Sequence, residues 1–225
     1  MTRLPRMRTS LIAAASAAIA VTALATPAFA VDPTPAQNAM LLQASDLPSS
    51  YGKPLDTSFT NVQKAGELAD ACFTADGNAP GTTVADQLNL FADIDYPAQL
   101  TWIQSIYVYK SKAQATKAFG QMTTKAVPQC KGSKTTTKGD DDITIPARTT
   151  TVTAQVKDGI IVATLKATTK GGGTAPYADN YIRRLTARVG DAIESLQVDS
   201  PKPITAAMKA TQDSTFAKLL ARYNG

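Results

Sequence analysis

The feature that most constrains this chain is a pair of β-rich runs, residues 148–156 and 160–168, joined at Asp158-Gly159. An Asp-Gly step between two such runs is a strong short-range signal for a tight hairpin. The middle of the chain reads as sheet as well. Leu88, Leu90, Ala92 and Ile94 alternate with Asn89, Phe91, Asp93 and Asp95, and after a turn near Pro97 residues 102–109 are dense in β-branched and aromatic side chains. In that run Trp102, Ile106 and Val108 point one way, and Ile103, Tyr107 and Tyr109 the other.

Helices are expected around these strands. Thr34 can cap and Pro35 fits a first helical position, with Met40, Leu41, Ala44 and Leu47 at helical spacing until Pro48. Ser111 caps a helix whose stripe is Ala115, Ala118, Phe119, Met122 and Ala126, ended by Pro128 just before Cys130. A last amphipathic helix follows Pro201 and Pro203 and carries Met208, Phe216, Leu219, Leu220 and Tyr223. Residues 51–61 read as irregular or weakly extended, 65–73 as a short helix, 74–83 as a loop and 131–142 as a polar connector. Residues 181–198 satisfy two patterns. Ile182, Leu185, Val189, Ile193 and Leu196 fit a helix, while Gly190-Asp191 in the middle suits a hairpin turn.

The N-terminal residues 1–30 read as a secretory signal peptide. Arg3, Arg6 and Arg8 form a basic start, residues 11–24 an alanine-rich apolar stretch, and Ala28-Phe29-Ala30 a small-x-small cleavage pattern. The stretch falls short of the ~20 residues that span a bilayer. Export of residues 31–225 as one free domain, without stable membrane insertion after cleavage, is the expectation. The chain has 23 basic and 18 acidic residues, and losing three arginines leaves a net charge of +2. That near-neutral balance argues against a nucleic-acid partner. In an oxidising compartment, Cys72 and Cys130 are most simply read as one structural disulfide.

Leu41-Leu42 with Asp46-Leu47-Pro48, Val108-Tyr109-Lys110-Ser111 and Arg188-Val189-Gly190-Asp191 together resemble the PknH-like extracellular sensor-domain family of actinobacterial proteins. Leu41-Leu42-Gln43-Ala44-Ser45-Asp46-Leu47-Pro48 is similar to that family's opening LL-x-x-x-D-L-P. A strand ending Val108-Tyr109-Lys110-Ser111 leads into an alanine-rich helix and Cys130, and Arg188-Val189-Gly190-Asp191 resembles an R-x-G-D/N hairpin tip. The resemblance implies an α+β fold, an antiparallel β-sheet with helices packed on it, and a cleft. It also favours the hairpin over the helix for residues 181–198. The kinase-linked domain has four cysteines and this chain two, so no functional residue carries over.

The chain has no histidine, which removes Ser-His-Asp and Cys-His catalysis and every histidine-based metal site. No S-x-x-K stands at a helix start, Asp140-Asp141-Asp142 matches no EF-hand loop, and Gly171-Gly172-Gly173 lacks a phosphate-loop context. The expectation is a secreted, non-enzymatic ligand-binding or sensor-like domain with no cofactor, its partner a small molecule or a cell-envelope component. Tyr107, Tyr109, Trp102 and Tyr181 are the candidate binding residues. The rival readings are a carrier of an apolar molecule and a protein-interaction module, such as a protease inhibitor or a cell-wall-associated partner.

Overall fold

A computed structural model describes residues 30–31, 35–64, 68–70, 81–83, 87–138, 144–171 and 178–224. The expected signal peptide lies outside them apart from Ala30, as do Cys72 and most of the segment predicted as a helix at 65–73. Within that segment Leu68–Asp70 is a strand, not a helix.

Among the described residues nine strands form one antiparallel sheet. They are β1 (Ala30–Val31), β2 (Asp56–Lys64), β5 (Gln87–Tyr96), β6 (Leu100–Val108), β7 (Gly132–Lys138), β8 (Thr144–Lys157), β9 (Ile160–Thr169), β10 (Asn180–Val189) and β11 (Ala192–Ser200). A separate two-stranded pair joins β3 (Leu68–Asp70) to β4 (Gly81–Thr83). The spatial order is β1-β2-β5-β6-β11-β10-β9-β8-β7. The sheet is thus two meanders joined where β11 lies beside β6, from Ala192 opposite Val108 to Asp199 opposite Thr101.

The sequence reading needs correction at several strands. Residues 56–64 are a full strand, 81–83 are a short one, and the polar connector contains the edge strand Gly132–Lys138. Their low apolar content hid them, because an edge strand such as Gly-Ser-Lys-Thr-Thr-Thr-Lys needs no buried face of its own. The N-terminal helix α1 (Pro35–Met40) stops at Met40, and Ala44–Asp46 form a single 3₁₀ turn instead of a continuation. The fold class is corrected as well. Cys130 is buried and is not a free thiol, but Cys72 lies outside the described residues, so no Cys72–Cys130 disulfide belongs to the described architecture. What the described residues support is an α+β sheet fold defined by strand pairing and two packed faces.

Strand alternation supplies both faces. One is covered by α3 (Ala206–Asn224) and the segment after α1 (Pro35–Met40), with Leu41, Leu42, Leu90, Ile94, Trp102, Ile106, Leu196, Phe216 and Leu219 fully buried between them. The other is covered by α2 (Lys112–Gln121) and the turns that follow it. There Ala115, Ala118, Met122 and Cys130 pack on Ile161, Ala163 and Ile193. Ser111 caps α2 as expected, accepting from the Gln114 amide at 3.3 Å.

Residues 181–198 are a hairpin, with Val189 opposite Ala192 and a two-residue turn at Gly190-Asp191. The helical period there is the by-product of two strands apolar on both faces, which a sheet covered on both sides demands. Gly190 holds φ +54, and α3 returns to this turn, where Tyr223 donates its hydroxyl proton to Asp191 Oδ1 at 2.7 Å. Gly190→Val is expected to cost about 1–2 kcal/mol in a urea titration, since a β-branched side chain resists positive φ. An unchanged midpoint would show that the turn relaxes freely.

Candidate functional site

The four candidate aromatic residues do not gather into one exposed patch. Trp102 is fully buried on the α3 face, its ring centroid 5.8 Å from that of Tyr51, and among the described residues its Nε1 has no hydrogen-bond partner. Tyr109 is buried beneath α2, and burial, with Tyr107 nearby, pushes its phenol up. Tyr107 is half-buried against the same α2 cluster, and Tyr181 is half-buried near the start of β10. The sequence places Trp102 and Tyr107 on opposite faces correctly. It does not reveal that α2 covers the Tyr107 side at this end of β6.

The motif residues behind the family resemblance act as clamps. Gln104, wholly buried on β6, accepts from the Leu42 amide at 2.5 Å and donates to the Met40 carbonyl at 3.3 Å and to Glu194 Oε1 at 2.6 Å. Asp46 accepts from the Gln43 amide at 2.8 Å and pairs with Arg222 of α3, whose Nη1 also donates to the Leu41 carbonyl at 3.2 Å. The opening segment is therefore tied both to the sheet and to the last helix. Glu194 Oε2 is buried with no hydrogen-bond partner among the described residues. Burial pushes the Glu194 carboxyl up to about 7, against the pull of the Gln104 hydrogen bond and the charge of Arg222.

Beside α3 the sheet is left open. The helix lies over β10 and β11, and the strip of β9 next to it forms one wall of a groove of about 260 Å³. Ile160, Val162, Leu185, Phe216 and Leu220 give it an apolar floor. At its edge Arg183 Nη2 meets Asp213 Oδ1 at 2.8 Å, and Arg183 Nη1 donates to the buried Gln212 at 2.7 Å, so the guanidinium is fixed in place. Lys157, the last residue of β8, and Asp158, in the turn into β9, stand at the groove's end. An apolar floor with a few fixed charges at the rim is the usual make-up of a small-molecule site. Sequence reading missed these residues, although the unbroken apolar run Ile160-Ile161-Val162-Ala163 carries the signal. A strand apolar on both faces needs something over each, and α2 supplies only one cover.

No protein-family model matches the chain, and no curated protein matches it. Among solved structures, the extracellular domain of PknH from Mycobacterium tuberculosis has a similar fold. It is 11% identical, with a TM-score of 0.50, and the match covers 81% of this chain and 93% of that one. The resemblance read from the motifs is thus supported as a distant relationship of fold. Among the described residues no helix is long and apolar enough to cross a membrane.

Proposed function

We propose that this chain is an exported, sensor-like domain that binds a small amphipathic molecule in the groove beside α3 and does no chemistry on it. The groove carries the reading. Its floor offers apolar side chains to a ligand, and the fixed Arg183–Asp213 pair offers a polar group at one end. The volume is about that of nine waters, which suits a small ligand or one end of a longer one. The fold likeness to an extracellular domain agrees with export, and the lack of histidine agrees with binding without catalysis. A partner-binding module fits less well, because Trp102 and Tyr109, two of the four aromatic residues that would anchor a protein partner, are packed inside.

The test is native mass spectrometry of the chain recovered from culture medium. The expected protein begins at Val31 and carries a co-purifying small molecule that is lost in Val162→Trp, a substitution that fills the groove. Thermal unfolding of the variant checks that it folds. Bare wild-type protein from medium and from cell extract alike, or binding unaffected by Val162→Trp, would remove the groove as the site.

A further inference from the structure

At the end of the sheet away from the Asp158-Gly159 turn lies a second cavity of about 260 Å³, walled chiefly by Gln99, Arg148, Asp179, Asn180 and Asp199. Its character is the reverse of the groove's, since one cation, Arg148, and two carboxylates, Asp179 and Asp199, face one space, with Asp179 Oδ1 already accepting from the Thr169 amide at 2.9 Å. Arg148 Nη1 donates to the Ala178 carbonyl at 2.7 Å and to Thr169 Oγ1 at 3.3 Å. Both acceptors are neutral, and they fix the guanidinium at the cavity wall. Asp199 Oδ1 accepts from Gln197 Nε2 at 2.9 Å, again a neutral partner. Burial pushes the Asp199 carboxyl up to about 6, against the Gln197 hydrogen bond and the charge of Arg184, while Asp93 adds to the rise. Among the described residues no ion pair joins Arg148 to Asp199. Gln99, in the turn between β5 and β6, holds φ +59, which costs a side-chain-bearing residue about 1 kcal/mol. Strain of this kind persists where the surroundings hold it, and it clusters at ligand sites.

We propose that this cavity is a second binding site, for a small zwitterion of the free α-amino acid class, its carboxylate on Arg148 and its ammonium on Asp199. Charge-assisted hydrogen bonds of both kinds are the strong ones, and an arginine fork suits a carboxylate. A simple anion would meet Arg148 but bring no partner for the carboxylates, and a simple cation would bring none for Arg148. A zwitterion satisfies both. The cavity has room for an amino acid and little more.

The experiment is thermal unfolding of the exported chain with each of the common free amino acids. At least one is expected to raise the midpoint by about 5–10 °C at a hundredfold excess over its Kd. Its N-acetyl and methyl-ester forms, each lacking one charge, should give little or no rise on the same protein. Asp199→Asn and Arg148→Gln should each abolish the rise, whereas the groove-filling Val162→Trp should preserve it. The proposal is overturned if no amino acid raises the midpoint, if the capped forms work as well as the free one, or if both cavity variants respond like wild type. The comparison of free and capped ligands needs only wild-type protein, so it decides the matter even if a variant fails to fold.

Discussion

Gln104→Leu is expected to remove about 4 kcal/mol of folding stability, which for a domain of this size is a fall of roughly 8–16 °C in Tm. Leucine fills the space but makes none of the three hydrogen bonds. The Leu42 amide, the Met40 carbonyl and Glu194 Oε1 would then be left without the partner that Gln104 provides. Each stranded group costs about 1–3 kcal/mol, far more than the net gain from making one such bond. The damage should be local before it is global. Hydrogen exchange at the Leu42 amide should accelerate ahead of exchange in β10 and β11, because residues 38–47 would lose their tie to the sheet and keep Arg222, the Thr215 hydroxyl on the Asp46 carbonyl and their apolar contacts. A loss below about 1 kcal/mol would mean that the segment is held by its leucines alone.

That clamp also shows what the sequence could and could not disclose. The opening Leu41-Leu42 and the Asp46-Leu47-Pro48 step are readable as a motif, but their meaning depends on partners 62 and 176 positions away, Gln104 and Arg222. No local pattern links residues that far apart. Strands with a buried apolar face, such as β6 and β9, announce themselves by alternation. Polar edge strands such as β7 do not, because pairing alone creates them. The hairpin at Gly190 lay between two rules. Its helical period came from apolar residues on both faces, and the glycine was the truer signal because positive φ at one position is a backbone requirement that no packing argument replaces. The aromatic residues misled for a related reason. A tyrosine or tryptophan on a strand looks the same in sequence whether its face is open or covered, and here α2 and α3 cover those faces from far along the chain. Both cavities share that difficulty, since each is assembled from strand ends or helix flanks that meet only in the folded chain.

Glu194 supplies the second large effect, and its sign is opposite to that of most acidic residues. Its carboxyl lies on β11 with no exposed surface, one oxygen held by Gln104 and the other without a hydrogen-bond partner among the described residues. Arg222 is the cation whose field reaches it, Asp46 already occupies that guanidinium, and Tyr223 faces it with a hydroxyl committed to Asp191. Burial therefore dominates and raises the carboxyl from 4.5 to about 7. Below pH 4.5 the folded and unfolded chains both hold the proton, so the group contributes nothing. Between pH 4.5 and 7 the folded chain keeps a proton that the unfolded chain has released, so stability falls as pH rises through this window. Above pH 7 the loss is complete, at about 3 kcal/mol. Glu194→Gln keeps the shape and the acceptor for Gln104 but removes the titration. The variant is expected to match wild type near pH 4.5 and to exceed it by about 3 kcal/mol at pH 8, a gain of some 6–12 °C in Tm. Asp199 titrates with the same sign in both proteins, so the informative quantity is the difference between their stability curves from pH 4.5 to 8. Parallel curves across that range would mean that Glu194 is ionised at little cost in the folded chain, with Arg222 close enough to carry its charge.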